Sequence, residues 1–302
     1  MRQSEIVHLA LMVAALGAAY LLPFELLLLS YAILGPAHYF TEISWLHDRG
    51  YFLPHRIWAA ALAAVAFGTM LIASSYWLGI VLWIAFLAAA ILAAADTGRR
   101  IAAYAAVAVA LTLVMLLSDI PFAIVGVLLP TFVHVCLFTL VFMTLGALRT
   151  NRGPQFALIG IYLVAICVIL AIPPGTNSVI PAFARIGREN FGGVAPALGS
   201  LFGIPGLTFP GRVTGLLSFV YTYHYLNWFI KADVIKWTAI PRPRLIAIAV
   251  LSAASTALYF YNYEIGILVL LLASMLHVLL EFPLNTISIR QLGAAALRYK
   301  PS

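Results

Sequence analysis

The amino-acid sequence predicts an all-α fold: a polytopic integral membrane helical bundle of about ten transmembrane helices, both termini cytoplasmic. Three observations carry that expectation. The chain is 64% hydrophobic and only 9% charged, with a mean hydropathy of +1.05. A water-soluble domain could not hide so much apolar surface. The apolar residues fall into stretches close to the roughly 20 residues that a helix needs to cross the hydrocarbon. The basic residues gather at the ends of alternate stretches, which is how topology is encoded. The whole chain, 1–302, therefore reads as a single transmembrane domain.

Taken in order, the spans fall near 5–22, 24–46, 57–74, 77–95, 101–118, 121–147, 155–172, 213–231, 245–262 and 264–285. The first follows a short Met1-Arg2 head and runs on toward the second, so it reads as helix one and not as a cleaved signal. Pro23, Pro121 and Pro154 stand at helix starts, where a missing N–H does no harm. Arg49 and Arg56 follow the second span, Arg99 and Arg100 the fourth, and Arg149 and Arg152 the sixth. Lys231, Lys236, Arg242 and Arg244 follow the eighth, and Arg290, Arg298 and Lys300 the tenth. With Arg2, fourteen of the seventeen Lys and Arg lie on one face, against Arg185, Arg188 and Arg212 on the other. Positive residues mark the cytoplasmic side, so a multi-pass protein of the inner (plasma) membrane is expected. The net charge of +7 is spread along that face and makes no patch for nucleic acid.

Residues 173–211 form a long outer connection rich in Pro and Gly, read as a lid or as a segment lying at the lipid interface. Glu25 and Glu264 fall at outer helix starts, where negative charge meets the positive end of the dipole. Asp119 reads as an outer N-cap, and Asp96 and Asp233 lie among cytoplasmic cations. Cys136 and Cys167 sit within spans and suggest neither a disulfide framework nor a CxxC metal site.

The chemistry lies in His38, His134, His224 and His277, each in the middle of a hydrophobic segment. They occupy the second, sixth, eighth and tenth spans, which run parallel in this topology. Each lies roughly seven to fifteen residues before the cytoplasmic end, or about 10–22 Å from it at the helical rise. The imidazoles can therefore share one layer. Two of them carry a glutamate four residues on, His38 with Glu42 and His277 with Glu281, and that spacing puts each pair on one helix face. Ionisable groups inside a bilayer are functional candidates by default, and imidazole with carboxylate is an ordinary ligand set for iron, copper, zinc and manganese. The set suits one or two metal ions, taken as iron, with the glutamates either coordinating directly or orienting the imidazoles. Pro36 and Pro130 precede His38 and His134 by two and four residues, so kinks are expected beside both.

The run Tyr221-Thr222-Tyr223-His224-Tyr225-Leu226-Asn227-Trp228 is the most polar and aromatic of any span. Asn227 is a candidate to hydrogen-bond a ligand or bound oxygen species, and Tyr221 to wall the substrate pocket. Trp228 and Trp237 also suit an interfacial aromatic belt. His8 and His55 read as interfacial, while His47 and Asp48 cap a helix end or face water.

Three stretches carry a resemblance: Gly35-Pro36-Ala37-His38, the aromatic segment around His224, and Leu276-His277-Val278-Leu279-Leu280-Glu281-Phe282-Pro283. Their order resembles the Brp/Blh family of membrane β-carotene dioxygenases. The resemblance implies histidine-bound iron in a lipid-facing cavity. This chain departs from that pattern in having Asn227 and Trp228 where a second imidazole belongs, and in lacking a His-Gly after the first proline. The HxxxH and HxxHH boxes of membrane desaturases are absent.

The function expected is a membrane-embedded non-haem metal oxidoreductase of the oxygenase type. Its partners would be membrane lipids, O₂, a hydrophobic small-molecule substrate and a redox partner. The competing readings are a bis-histidine haem electron-transfer protein and a His/Glu-lined ion or proton transporter.

Overall fold

A computed structural model of the chain describes residues 3–72, 74–94, 97–117, 129–150, 152–175, 179–180, 182, 185, 211–231 and 236–298. Among these, ten helical rods form and no strand does. They are α1 (Gln3–Leu21), α2 (Pro23–Asp48), α3 (Arg56–Thr69), α4 (Ser75–Ala94), α5 (Gly98–Leu117), α6 (a π-wound stretch Leu129–Phe138 continuing as Thr139–Thr150), α7 (Gly153–Ala171), α8 (Arg212–Ile230), α9 (Arg242–Tyr261) and α10 (Tyr263–Arg298). Most of the outer connection 173–211, the start of the sixth span at 121–128, and Asp96, Asp119 and Asp233 lie outside the described residues.

Eight of these helices are long and apolar enough to cross a membrane. The two that fall short do so for different reasons. α3 has only 14 residues, about 21 Å of rise against a core about 30 Å thick. Its chain leaves the helix after Thr69, whose hydroxyl turns back onto the Ala66 carbonyl. α8 is long enough at 19 residues, but Thr, Tyr, His and Asn side chains dilute its apolar content. That dilution follows from where α8 sits: fourteen of its residues are buried, so protein and not lipid surrounds it. At the other extreme α10 runs to Arg298, well past residue 285, with Pro283 inside it. The extension is held at its flanks, where Arg290 donates to the Ala94 carbonyl and Arg149 donates to Gln291 Oε1.

α2, α8 and α10 form the spine. α8 packs on α1, α2, α6 and α7; α10 packs on α2, α3, α4, α6 and α9. One apolar cluster joins α1, α6, α7 and α8 around Phe219, Tyr162 and Ile169. A second joins α2, α3, α4 and α10 around Leu46, Leu279 and Phe282. A third, rich in tyrosine, joins α2, α8, α9 and α10. Together the three enclose the polar centre. α5 stands apart on α4, with none of its residues buried.

Pro36 explains the winding of α2. A proline has no N–H to return to the carbonyl four residues back. The helix answers with a π-wound stretch at Ser30–Leu34, immediately before Gly35-Pro36. The orphaned Ala32 carbonyl accepts a hydrogen bond from the Thr256 hydroxyl of α9, 2.8 Å away. Such repair by a neighbouring helix is what lets proline survive in a membrane interior. Pro130 likewise lies within the π-wound stretch of α6 that carries His134. π-bulges re-aim side chains and cluster at functional sites.

Candidate metal centre

The four histidines converge. His38, His134, His224 and His277 each offer a ring nitrogen, and those nitrogens all lie within 4.8 Å of one another. His38, His134 and His277 are 1% exposed. The Nε2 atoms meet in two pairs, His38 with His224 at 3.1 Å and His134 with His277 at 3.0 Å. Glu42, Glu281 and His277 form a second, overlapping group with the same 4.8 Å limit, so all six residues read from the sequence share one centre. Glu42 Oε2 lies 3.0 Å from His38 Nε2, and Glu281 Oε2 lies 3.1 Å from His134 Nδ1.

Two of the imidazoles have a fixed tautomer. The His277 Nδ1 lies 2.6 Å from the Ser274 carbonyl. A carbonyl only accepts, so this nitrogen carries the proton and Nε2 presents its lone pair to the centre. The Thr139 hydroxyl donates to the Val135 carbonyl at 2.7 Å, so it accepts from His224 Nδ1, 2.8 Å away. His224 Nε2 therefore also presents a lone pair. Each lone pair faces another Nε2 at about hydrogen-bonding distance, and four ring nitrogens gather in one small space.

That donor set fits a metal ion. An imidazole bound to a first-row ion at about 2.1 Å has its cis neighbours roughly 3.0 to 3.4 Å away, from octahedral to tetrahedral angles. The two Nε2 pairs lie at the short end of that range. Buried polar atoms without hydrogen bonds add to the fit: His38 Nδ1, His134 Nδ1 and Glu281 Oε2. The His134–Glu281 contact is short but lies off the ring N–H direction, so neither atom is satisfied by it. Orienting partners on the far ring nitrogens, as Thr139 and Ser274 supply here, are what metal-bound histidines ordinarily have.

Aromatic rings wall the centre on one side. Tyr39 stacks on His277 with centroids 4.4 Å apart, and its hydroxyl meets that of Tyr225 at 2.7 Å. Gly35 keeps room for this, because a Cβ there would lie 2.9 Å from the Tyr39 hydroxyl. Trp228 stands edge-on to His38 and donates to the Thr41 hydroxyl at 2.9 Å. It is therefore part of the site wall and not of a lipid-facing belt. Tyr221 stands behind this wall, against Tyr31 and Tyr225, and is not among the residues lining the cavity. Asn227 does line it, with a buried side-chain oxygen that has no partner among the described residues.

The cavity holds about 420 Å³, within the range of small-molecule sites. His38, His224, Glu42 and Glu281 line one end. Arg149, Lys231, Gln291 and Phe52 line it too, from the C-terminal ends of α6 and α8, the last part of α10 and just after α2. The helices that supply the histidines thus run parallel, and the imidazoles share a depth.

The structure also places the outlying groups read from the sequence. His8 is not simply interfacial: its Nδ1 meets the Tyr223 hydroxyl at 3.3 Å, and it borders a smaller cavity beside Asn227 and Lys231. Asp48 is paired with Arg244 at 2.6 Å and lies 3.4 Å from His47. Glu25 is buried and accepts from the Ile180 N–H at 2.9 Å. Cys136 and Cys167 are both free thiols. Thr139 and Tyr39 escaped the sequence reading, Tyr225 was read only as part of the aromatic run, and Arg149 and Lys231 only as charges at helix ends. One signal was available: both His38 and His224 are followed at once by tyrosine, and those two tyrosines are hydrogen-bonded to each other. No family model, curated protein or solved structure matches the chain.

Proposed function

We propose that the protein is a membrane-embedded, metal-dependent oxidoreductase of the oxygenase type, acting with O₂ on a hydrophobic, lipid- or isoprenoid-like substrate. The observation that carries this reading is the convergence of four imidazole nitrogens from four helices within 4.8 Å. His38, His134, His224 and His277 would hold iron, as one ion or as a pair that also engages Glu42 and Glu281. A bound iron ion would supply Lewis acidity and redox chemistry toward O₂. The chain's own part is to hold and shield. Thr139 and the Ser274 carbonyl fix ring tautomers, the aromatic wall excludes water, and the 420 Å³ cavity receives the substrate beside the ligands. Asn227 would hydrogen-bond a polar group in that cavity, and Tyr221 would back its aromatic wall.

The charge asymmetry of the helix ends supports a cytoplasmic basic face, ten spans and an inner (plasma) membrane location. A bis-histidine haem fits less well. It needs two axial nitrogens about 4 Å apart with a planar macrocycle between them, whereas the Nε2 pairs lie 3.1 and 3.0 Å apart.

Elemental analysis of the purified protein tests the reading. One or two iron ions per chain and substrate-dependent O₂ uptake are expected. A folded protein that takes up no transition metal from a buffered supply would refute it.

A further inference from the structure

Two cations border the substrate cavity, and among the described residues neither meets a carboxylate. On the same face of the bundle Arg152 pairs with Glu5 at 2.7 Å and Arg244 pairs with Asp48 at 2.6 Å. Arg149 and Lys231 line the cavity, and among the described residues neither has a carboxylate partner. Arg149 reaches only the neutral side chain of Gln291, at 2.6 Å. Favourable placement at helix C-termini accounts for cations there, but not for the absence of counter-ions at the two that face the cavity. The cavity's carboxylates, Glu42 and Glu281, belong to the metal centre. Between centre and cations the walls are largely apolar, with Trp45, Phe142, Leu145 and Leu284 among them.

We infer that the cavity takes an amphiphile with an anionic head group, the head held between Arg149 and Lys231 and the apolar chain lying toward the histidines. This deepens the proposed function and rests on it for the identity of the site, but not for the binding. The arrangement also fixes orientation. The head is drawn to the guanidinium and ammonium groups, and the carbon chain is delivered to the metal ligands. Carboxylate and phosphate heads share this chemistry, since both take charge-assisted hydrogen bonds from arginine and lysine.

The test uses the full-length protein in phosphatidylcholine nanodiscs, titrated with dodecanoate, dodecyl phosphate, dodecanol and dodecyltrimethylammonium. Intrinsic tryptophan fluorescence is read, its ligand-dependent change expected from Trp45 and Trp228, which line the cavity, and is corrected with empty discs. At least one anion should bind about tenfold or more tighter than dodecanol, with the ammonium compound weaker still. Whether dodecanoate or dodecyl phosphate leads identifies the head group. In the double variant Arg149→Gln, Lys231→Gln the preference should vanish while dodecanol binding persists. Equal binding of dodecanol and both anions by the unaltered protein would overturn the proposal, with no variant needed. So would an anion preference that survives the double substitution. Iron content measured on the same sample reads the oxygenase proposal separately: an anion preference in a protein that takes up no metal would sink that reading and leave this one standing.

Discussion

The four histidine-bearing helices and the α4–α5 pair belong to one bundle, yet they do opposite things. In α2, α6 and α10 half or more of each most apolar window is buried in protein; in α4 the share is 22%, and in α5 it is 0%. The first set spends its buried positions on His, Glu, Thr, Tyr and Asn. The second has one described polar link across its interface, from Trp83 Nε1 to the Thr112 hydroxyl at 3.1 Å. Hydropathy says that a helix is in the membrane. Polar residues within an apolar helix say which ones turn inward, because hydrocarbon offers their groups no partner.

The widest separation between the two regions should come from His277→Gln. Gln keeps much of the side-chain volume but removes the imidazole nitrogen that contacts His134 at 3.0 Å. Metal content should fall to background, with loss of substrate-dependent O₂ uptake, while the helical circular dichroism signal stays. Retention of full metal stoichiometry would merge the two regions into one structural class.

Thr139→Val probes the support behind a ligand and should act more mildly. It removes the hydroxyl that accepts from His224 Nδ1 at 2.8 Å and leaves that ring free to turn. Loss of such an orienting partner typically weakens metal binding about 10- to 100-fold. Chelator competition would measure it, and Thr139→Ser should restore most of the affinity because the acceptor oxygen returns.

The smallest effect belongs to Thr112→Val on α5. The hydrogen bond from Trp83 is lost, at a cost of about 0.6 kcal/mol by the average for polar contacts between membrane helices. Thermal unfolding in mild detergent should shift slightly, and metal content should not change. A drop in metal content here would mean that the peripheral pair is mechanically tied to the centre.

Much of the centre was legible because of a mismatch of environments. An imidazole or carboxylate in the middle of an apolar run stands out, and the four-residue spacing of His38 with Glu42 and His277 with Glu281 fixes a shared face. Thr139 stayed hidden because threonine is common in membrane helices and gains its role only from His224, 85 positions away. Trp228 was legible as aromatic but not as inward-facing: its indole N–H finds Thr41 on α2, a partner no local pattern predicts. The reach of α10 to Arg298 was hidden too, because Pro283 and the polar residues after it look like an end. Packing against α6 holds them in the helix.

By itself the sequence determined that the chain is helical and apolar enough to cross a membrane, which helices carry the buried histidines and glutamates, and which end of the bundle is basic. Those follow from composition, period and charge order, which are local and additive. Tertiary structure alone decided that four nitrogens meet within 4.8 Å, which ring nitrogens carry their protons, and that Arg149 and Lys231 close the same cavity that the histidines open. Distances between helices depend on how side chains interlock across the whole bundle, and no single stretch of sequence contains that information.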